Sequence, residues 1–142
     1  KRDRLKAIYL VSYFSNPSSR SMPEEDKSSL GSLLQSLDFN LPVIEDTAYR
    51  ELYYDVPYPS RSILSLPEYE GISCLYTGTY TKPFATGLKV GFACCSDIEW
   101  LKKMERVKGC QDFGTSNFTQ AIIESVLSND LYPEVLNGLR KH

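Results

Sequence analysis

One lysine lies among hydroxyl-bearing residues, in a short segment between two apolar stretches. The segment is YTGTYTKPFATGLKVGF, residues 76–92, in which Thr79 and Thr81 precede Lys82. Such a run can be the tip of an ordinary hairpin, with the lysine as a surface charge. Alternatively, a desolvated lysine amine has a lowered pKa and can form an imine with an aldehyde. Hydroxyl groups beside the amine would then suit an anionic partner such as a phosphate.

Further polar residues follow two other apolar runs that predict strands. Residues 7–14, AIYLVSYF, are followed by Asn16 and Pro17, and LPVIED ends at Asp46, with Tyr49 three residues later. Ligands of open α/β sheets bind beyond the carboxyl ends of the strands. We therefore expect an amide, a carboxylate, a phenol, hydroxyls and an amine to meet in one crevice. The residues concerned are Asn16, Asp46, Tyr49, Thr79, Thr81 and Lys82.

Each of these residues also has a purely structural interpretation. Asp46 can cap a helix, and Asn16 before a proline is a common turn residue. Tyr49 is one of ten tyrosines. Threonines such as Thr79 and Thr81 are frequent in strands because of their β propensity. The order and spacing of the whole set therefore carry more weight than any single residue.

The order of the elements predicts an α/β domain, with three αβα layers and a mainly parallel mixed sheet. The apolar run 7–14 predicts a strand buried on both faces. Strands are also predicted within LPVIED, ISCLYTGTYTK and LKVGFACC, and the short turn at 82–87 favours an antiparallel pairing of the last two. Residues 56–70 contain three prolines and predict an irregular connector.

Four helices are predicted from caps and apolar spacing. The first has Ser21 as its cap and Glu24 three residues later. Its apolar face is Leu30, Leu33, Leu34 and Leu37. The second begins with a capping box from Ser96 to Glu99 and stops at Gly109. Its apolar side is Trp100, Leu101, Met104 and Val107.

The last two predicted helices follow in the C-terminal third. Thr115 or Ser116 caps the third helix. Its apolar side is Phe118, Ala121, Ile122 and Leu127. The fourth helix begins at Asp130 and Pro133 and runs to His142.

Composition and charge exclude several classes of function. The chain has 142 residues, enough for one domain, and a net charge of −2, which offers no footprint for nucleic acid. No apolar stretch is long enough to span a membrane. The only histidine is His142, and the four cysteines lack metal-ligand spacing, so we expect no metal site. Free thiols predict a reducing cytoplasm.

The chain resembles the class I/II aminotransferases, the fold type I enzymes that use pyridoxal 5'-phosphate. The resemblance rests on NP at 16–17, EDTAYRELYY at 45–54 and GTYTKPFATGLKVGF at 78–92, in that order, with 36 residues from Asp46 to Lys82. It extends over essentially the whole chain. Within the family, the chain looks most similar to the branch that contains 2-aminoadipate aminotransferases and the aminotransferase-like halves of certain bacterial regulators.

The resemblance implies a role for each residue near the cofactor ring. Lys82 would hold the cofactor as an imine and, once substrate displaces it, shuttle a proton between the substrate α-carbon and C4'. Asp46 would pair with the protonated pyridine nitrogen. Tyr49 would hydrogen-bond the ring 3'-oxygen, and Asn16 would contact the same oxygen and the substrate carboxylate.

The resemblance is less complete around the phosphate. Thr79 and Thr81 would hold phosphate oxygens, and Lys89 stands where the family usually has an arginine. A lysine keeps the charge but lacks the two-pronged geometry, which implies weaker phosphate binding. The family often shows Asn-Pro-Thr-Gly where this chain has NPSS, and Pro83 biases Lys82 toward an extended backbone.

The family also implies what surrounds this segment. We expect residues 1–142 to be a partial large domain that lacks the N-terminal segments and the small C-terminal domain, and to be inactive when isolated. The parent protein would be a homodimer that transfers an amino group from an amino acid to a 2-oxo acid. Two alternatives stay open: a catalytically idle, cofactor-sensing module of a transcriptional regulator, and an unrelated nucleotide-binding domain. The second is disfavoured because no Gly-x-Gly-x-x-Gly or P-loop follows a strand.

Overall fold

A four-stranded mixed sheet forms the centre of the computed structural model, which describes residues 4–38 and 40–141. The strands are β1 (Ile8–Val11), β2 (Val43–Asp46), β3 (Cys74–Thr79) and β4 (Gly91–Cys95), and they lie in this order across the sheet. β1, β2 and β3 are parallel, and β4 is antiparallel to β3. The predicted α/β class, the mixed sheet and the antiparallel last pair are confirmed. Since the parallel strands share one direction, their carboxyl ends lie at the same edge of the sheet.

Four helices accompany the sheet in the described part of the chain. α1 (Glu24–Ser36) connects β1 to β2, as a parallel crossover requires. α2 (Ile98–Asp112), α3 (Asn117–Ser128) and α4 (Leu131–Arg140) follow β4. No helix within residues 4–38 and 40–141 is long and apolar enough to cross a membrane.

The main core lies between α1, one face of the sheet and the connector from β2 to β3. The prolines of this connector interrupt regular structure as predicted, but two short 3-10 turns form within it, Ile63–Ser65 and Pro67–Tyr69. The connector therefore does more than link two strands, since it supplies half of the core cluster. The buried members of this cluster are Leu34, Val43, Ile63, Leu66, Tyr69 and Cys74.

The buried face of α1 differs from the predicted leucine face. Lys27, Gly31 and Leu34 are buried, and Leu30 packs partly against the core. Leu33 and Leu37 are exposed, so that part of the prediction is wrong. A Cβ atom at Gly31 would lie 2.9 Å from the Tyr69 ring, which shows how closely α1 approaches the connector. The lysine and the glycine of α1, rather than Leu33, therefore face the core.

β1 is shorter and more open than predicted. Only Ile8–Val11 form a strand, and Tyr9 is 59% exposed. β1 is the first strand in the order of the sheet, and only β2 pairs with it among the described residues. The prediction of a strand over residues 7–14 that is buried on both faces is therefore wrong.

Two predicted helix caps are wrong because tertiary contacts occupy their hydroxyls. Ser21 Oγ accepts a hydrogen bond from the Phe14 backbone N–H at 2.9 Å, and α1 begins after Pro23 without a side-chain cap. Ser96 Oγ accepts from the Cys74 N–H at 2.8 Å and donates to a backbone carbonyl. Asp97 caps α2 instead, because its Oδ1 accepts hydrogen bonds from the backbone N–H groups of Glu99 and Trp100, at 2.9 and 3.1 Å.

The ends and faces of the later helices also differ in part. Gly109 lies within α2, which ends at Asp112 and is followed by Phe113 at a φ of 55°. Ser116 precedes α3 but makes no side-chain cap hydrogen bond. Asp130 directly precedes α4, which confirms the predicted start, while His142 lies outside the described residues.

The predicted apolar sides of α2 and α3 are only partly buried. Along α2, Val107 is exposed whereas the other three residues are half-buried. Along α3, Ile123 is the buried residue, and Phe118 and Ala121 are exposed. Periodicity located these helices but did not identify which side of each packs.

Candidate active site

Donors hold both oxygens of the Asp46 carboxylate, at the carboxyl end of β2. The Ala48 backbone N–H donates to Oδ1 at 2.9 Å. The phenol of Tyr9 donates to Oδ2. Val11 is paired with Asp46 across the two parallel strands, and Tyr9 lies on the same face of β1 as Val11. The long Tyr9 side chain can therefore reach diagonally across the sheet to Asp46.

Tyr9 is a site residue that the sequence analysis missed. Its hydrogen bond to the Asp46 carboxylate, followed by burial, raises the pKa of the Tyr9 phenol to about 12. The phenol therefore keeps its proton at neutral pH and acts as a donor. The signal that could have identified it is the β1–β2 register, since Tyr9 belongs to a run that otherwise predicts only a strand.

Tyr49 brings two other predicted residues together. Its hydroxyl accepts a hydrogen bond from Asn16 Nδ2 at 3.3 Å. The Lys82 Nζ atom lies 5.6 Å from the centroid of its ring. Tyr49 is held in a turn directly after β2, where the Leu52 N–H donates to its carbonyl at 2.9 Å. Asn16, Tyr49 and Lys82 come from three separate segments, and they meet near the carboxyl ends of the parallel strands.

Lys82 is exposed rather than desolvated. It lies in a turn after β3 that is closed by the N–H groups of Phe84 and Ala85, which both donate to the Tyr80 carbonyl at 3.1 Å. Pro83 is fully buried and anchors this turn. The sequence-based idea of a buried amine is therefore wrong for the described chain. An aldehyde can reach the amine without disturbing the core.

One of the two threonine hydroxyls near Lys82, that of Thr79, is engaged in hydrogen bonds within the chain. Thr79 Oγ1 donates to the Val90 carbonyl at 3.1 Å and accepts from the Thr81 N–H at 3.0 Å. A hydroxyl has only one hydrogen to donate. Thr79 thus stabilises the turn, and it could donate to a phosphate oxygen only after giving up the Val90 carbonyl. Thr81 is half-buried next to Lys82.

Lys89 is exposed and has a φ of 54°, in the left-handed region. It lies at the start of the run into β4, directly before the buried Val90. Few residues other than glycine, asparagine and aspartate adopt this conformation readily, and it costs about 1–2 kcal/mol in a residue with a Cβ atom. The turn thus carries backbone strain at the position where a cation could face a phosphate.

Potential metal ligands and thiols are spread across the described part of the chain. No group of three or more His, Cys, Asp and Glu side chains could hold a metal ion there. The four cysteines, which all lie within that part, are free. Burial raises the pKa of the Cys74 thiol to about 12, so this thiol is not a nucleophile at neutral pH.

Nearly every residue of this chain falls within a region that is similar to known proteins. No protein-family model matches it. A 2-aminoadipate transaminase of Thermus thermophilus is 32% identical over 143 residues, covering 99% of this chain and 34% of that protein. The HTH-type transcriptional regulator NorG of Staphylococcus aureus USA300 is 27% identical over 136 residues, covering 95% of this chain and 29% of that protein. The chain thus spans about a third of the length of these curated relatives.

Solved structures show the same arrangement of elements. The α-aminoadipate aminotransferase LysN of Thermus thermophilus, in complex with N-(5'-phosphopyridoxyl)-L-leucine, superposes with a TM-score of 0.78 at 27% identity. It is matched over 98% of this chain and 36% of that chain. A kynurenine aminotransferase of Pyrococcus horikoshii, in complex with PMP, gives a TM-score of 0.82 at 28% identity, over 96% of this chain and 32% of that chain.

Proposed function

We propose that the parent protein of this chain is an aminotransferase dependent on pyridoxal 5'-phosphate, because the chain matches a fragment of the fold type I aminotransferases. The chain would be part of their large domain. It would transfer an amino group from an amino acid to a 2-oxo acid. The observation that carries the proposal is the meeting of Asn16, Tyr49 and Lys82 at one edge of the sheet. Because the chain spans about a third of its relatives, the activity is proposed for the whole protein. We propose that this whole protein is a homodimer.

The donor set fits the ring of this cofactor. A carboxylate at the end of β2 is the group that a protonated pyridine nitrogen requires, and Asp46 is held there through both of its oxygens. A phenol and an amide already joined by a hydrogen bond suit the ring 3'-oxygen. The solvent-accessible amine of Lys82 suits the aldehyde. The four groups thus match three parts of the cofactor: its pyridine nitrogen, its 3'-oxygen and its aldehyde.

When bound, the cofactor supplies an electron sink for the bond that breaks at the substrate α-carbon. Lys82 would bind the aldehyde carbon covalently, and its released amine would take a proton from the α-carbon and return it at C4'. Asp46 would keep the pyridine nitrogen protonated through its negative charge. Tyr49 and Asn16 would orient the ring through its 3'-oxygen.

The phosphate would be held less firmly than the ring. Thr81 supplies a hydroxyl and Lys89 a cation, and Thr79 could contribute only at the expense of its bond to the Val90 carbonyl. Lys89 offers a point charge instead of the planar fork of an arginine. We expect the cofactor affinity of the parent protein to depend more on the covalent bond to Lys82 than on these contacts.

A second candidate function is favoured by the relatives that are regulators. NorG, a transcriptional regulator of the HTH type, matches 95% of this chain. The same site could then bind the cofactor without carrying amino transfer and so report its level to a DNA-binding domain of the parent protein. Both functions require the same residues around the ring, so they differ in turnover rather than in binding.

One experiment on the full-length parent protein separates the two functions. The protein is incubated with pyridoxal 5'-phosphate, and the absorption of the bound cofactor is followed after adding each of a panel of amino acids. An aminotransferase converts the cofactor to its amine form, and a 2-oxo acid reverses the change. A sensing module binds the cofactor but does not convert it. The absence of any bound cofactor at saturating concentration would contradict both functions.

A further inference from the structure

We propose that Tyr9 is a positioning residue of this site, which fixes the Asp46 carboxylate in the orientation that the pyridine nitrogen of the cofactor requires. The inference rests on the proposed function and adds to it a residue from β1. Tyr9 would act through Asp46 and would not touch the reacting atoms.

The two oxygens of Asp46 are fixed by donors from different parts of the chain. The Ala48 N–H holds Oδ1 from within the same turn, at 2.9 Å. Tyr9 holds Oδ2 from the neighbouring strand, 37 residues away in sequence. With the hydrogen bond from Ala48 alone, Oδ1 would be held but Oδ2 could still move around it. The second contact, from β1, prevents this movement.

The carboxylate still has room for the cofactor. An ionised carboxylate offers about four lone-pair sites, of which these two donors use two. A pyridine N–H can therefore be accepted while both protein donors stay in place. Such supporting donors are the usual means by which a protein holds a charged group in its working geometry.

The position of Tyr9 does not force its hydroxyl to find a protein partner. Tyr9 is 59% exposed and lies in β1, which pairs only with β2 among the described residues. At such a position a phenol can make its hydrogen bonds to water at little cost. Its hydroxyl instead meets a carboxylate, which forms charge-assisted bonds about twice as strong as neutral ones. The raised pKa of the Tyr9 phenol keeps it protonated, and hence a donor, throughout the range in which enzymes work.

Replacing Tyr9 with phenylalanine tests this role in the full-length protein. Tyr9→Phe removes only the hydroxyl and keeps the ring, so the fold should be retained. Tyr54→Phe is the matched control, since Tyr54 is 84% exposed and also loses only a hydroxyl. Two quantities are measured: the dissociation constant for pyridoxal 5'-phosphate, and the circular-dichroism band of the bound cofactor per mole bound at saturation.

We expect Tyr9→Phe to weaken cofactor binding about tenfold, the size of one lost hydrogen bond to a charged group. The circular-dichroism band should also shrink at full occupancy, because the ring is held less rigidly. A loss of stability alone would leave that band unchanged. Tyr54→Phe should leave both quantities within about twofold of the unmodified protein.

Three outcomes would overturn the inference. Affinity and circular dichroism within about twofold of the unmodified protein would show that the Tyr9 hydroxyl has no positioning role. Tighter binding by Tyr9→Phe would show that Tyr9 competes with the cofactor for Asp46. Failure of the unmodified protein to bind the cofactor would instead reject the proposed function, and with it this role of Tyr9.

Discussion

The Nζ atom of Lys27 lies 3.0 Å from Oε1 of Glu45, and both side chains are fully buried. Lys27 also donates to the Arg61 carbonyl at 2.7 Å and to the Tyr13 hydroxyl at 3.1 Å. The other Glu45 oxygen accepts from the Ser62 hydroxyl at 2.6 Å and from a backbone N–H. This buried pair joins α1, the connector and the residue of β2 that directly precedes Asp46. It therefore fixes the strand end on which the candidate site is built.

We predict that Lys27→Met destabilises the protein by about 3–5 kcal/mol, because it leaves the Glu45 carboxylate buried without a cation. Burial lowers the pKa of the Lys27 ammonium, and the Glu45 carboxylate opposes that shift, so each group depends on the other. The measurement is the free energy of unfolding in urea. Adding Glu45→Gln to Lys27→Met should restore part of the loss, since glutamine is neutral and still accepts from Ser62.

An exposed ion pair provides the control for this prediction. Lys102 lies 2.8 Å from Glu99, with side chains that are 57% and 68% exposed. Lys102→Met should change stability by less than about 1 kcal/mol. Similar losses for Lys27→Met and Lys102→Met would contradict the importance of the buried pair.

The ion pair between Glu24 and Arg61 should make the folded protein less stable in acid. Both Glu24 oxygens accept from Arg61, at 2.8 to 3.1 Å, and these hydrogen bonds lower the pKa of Glu24 to about 2. A carboxyl group with a lowered folded-state pKa stabilises the fold above its ordinary pKa, and that contribution is lost as the pH falls toward the folded-state value. The relevant window therefore runs from about pH 4.5 down to about pH 2.

Glu24→Gln tests this pH dependence. The variant has no charge at any pH, so its melting temperature should fall less between pH 4.5 and 2 than that of the unmodified protein. At neutral pH the variant should be slightly less stable, because the ion pair is lost. Equal slopes for the two proteins through the acid range would show that Glu24 contributes no pH dependence.

Asp97 should carry the start of α2 rather than Ser96. Its side chain accepts hydrogen bonds from two backbone N–H groups of the first turn. The hydrogen bond from Ser73, followed by these backbone bonds, lowers the pKa of this carboxyl. Asp97→Ala should lower the free energy of unfolding by the amount usual for a lost helix cap, and Asp97→Asn clearly less, since asparagine is also a good cap. Unfolding in urea measures both. A larger effect of asparagine than of alanine would argue against a capping role.

The sequence predicted the elements and their order well, because apolar periodicity and turn residues are local signals. It predicted helix caps poorly where two residues that can both act as a cap are adjacent in the sequence, such as Ser96 and Asp97. Ser96 had the right spacing for a capping box, but the Cys74 N–H from another strand occupies its hydroxyl. Only the folded chain determines which neighbour reaches a distant donor.

Some residues of the candidate site were likewise predictable from local sequence, whereas others depend on contacts that form only in the folded chain. Asp46, Tyr49 and Lys82 follow apolar runs at a spacing that a sequence reveals, and Asn16 precedes a proline. Tyr9 was missed, because identifying its role requires the register between β1 and β2. The exposure of Lys82 agrees with the hairpin-tip interpretation of its segment and not with a desolvated amine, and the buried Pro83 anchors that turn.

Asp46→Asn tests the proposed electrostatic role of Asp46 in the parent protein. The change removes the charge that would keep the pyridine nitrogen protonated, while preserving the shape of the side chain. One to three pKa units of ion-pair stabilisation correspond to about 1.4–4 kcal/mol, so amino transfer should slow about ten- to a thousandfold. Retention of most of the rate would mean that Asp46 only holds the turn through Ala48.

Borohydride reduction of the full-length protein, after incubation with pyridoxal 5'-phosphate, tests the role of Lys82 most directly. Reduction fixes the cofactor on the lysine to which it is bonded, and peptide mass spectrometry identifies that lysine. The label should be found on Lys82, and it should be absent from a Lys82→Arg variant that retains its fold. Label on Lys89 or Lys6 with Lys82 unmodified would contradict the proposed site.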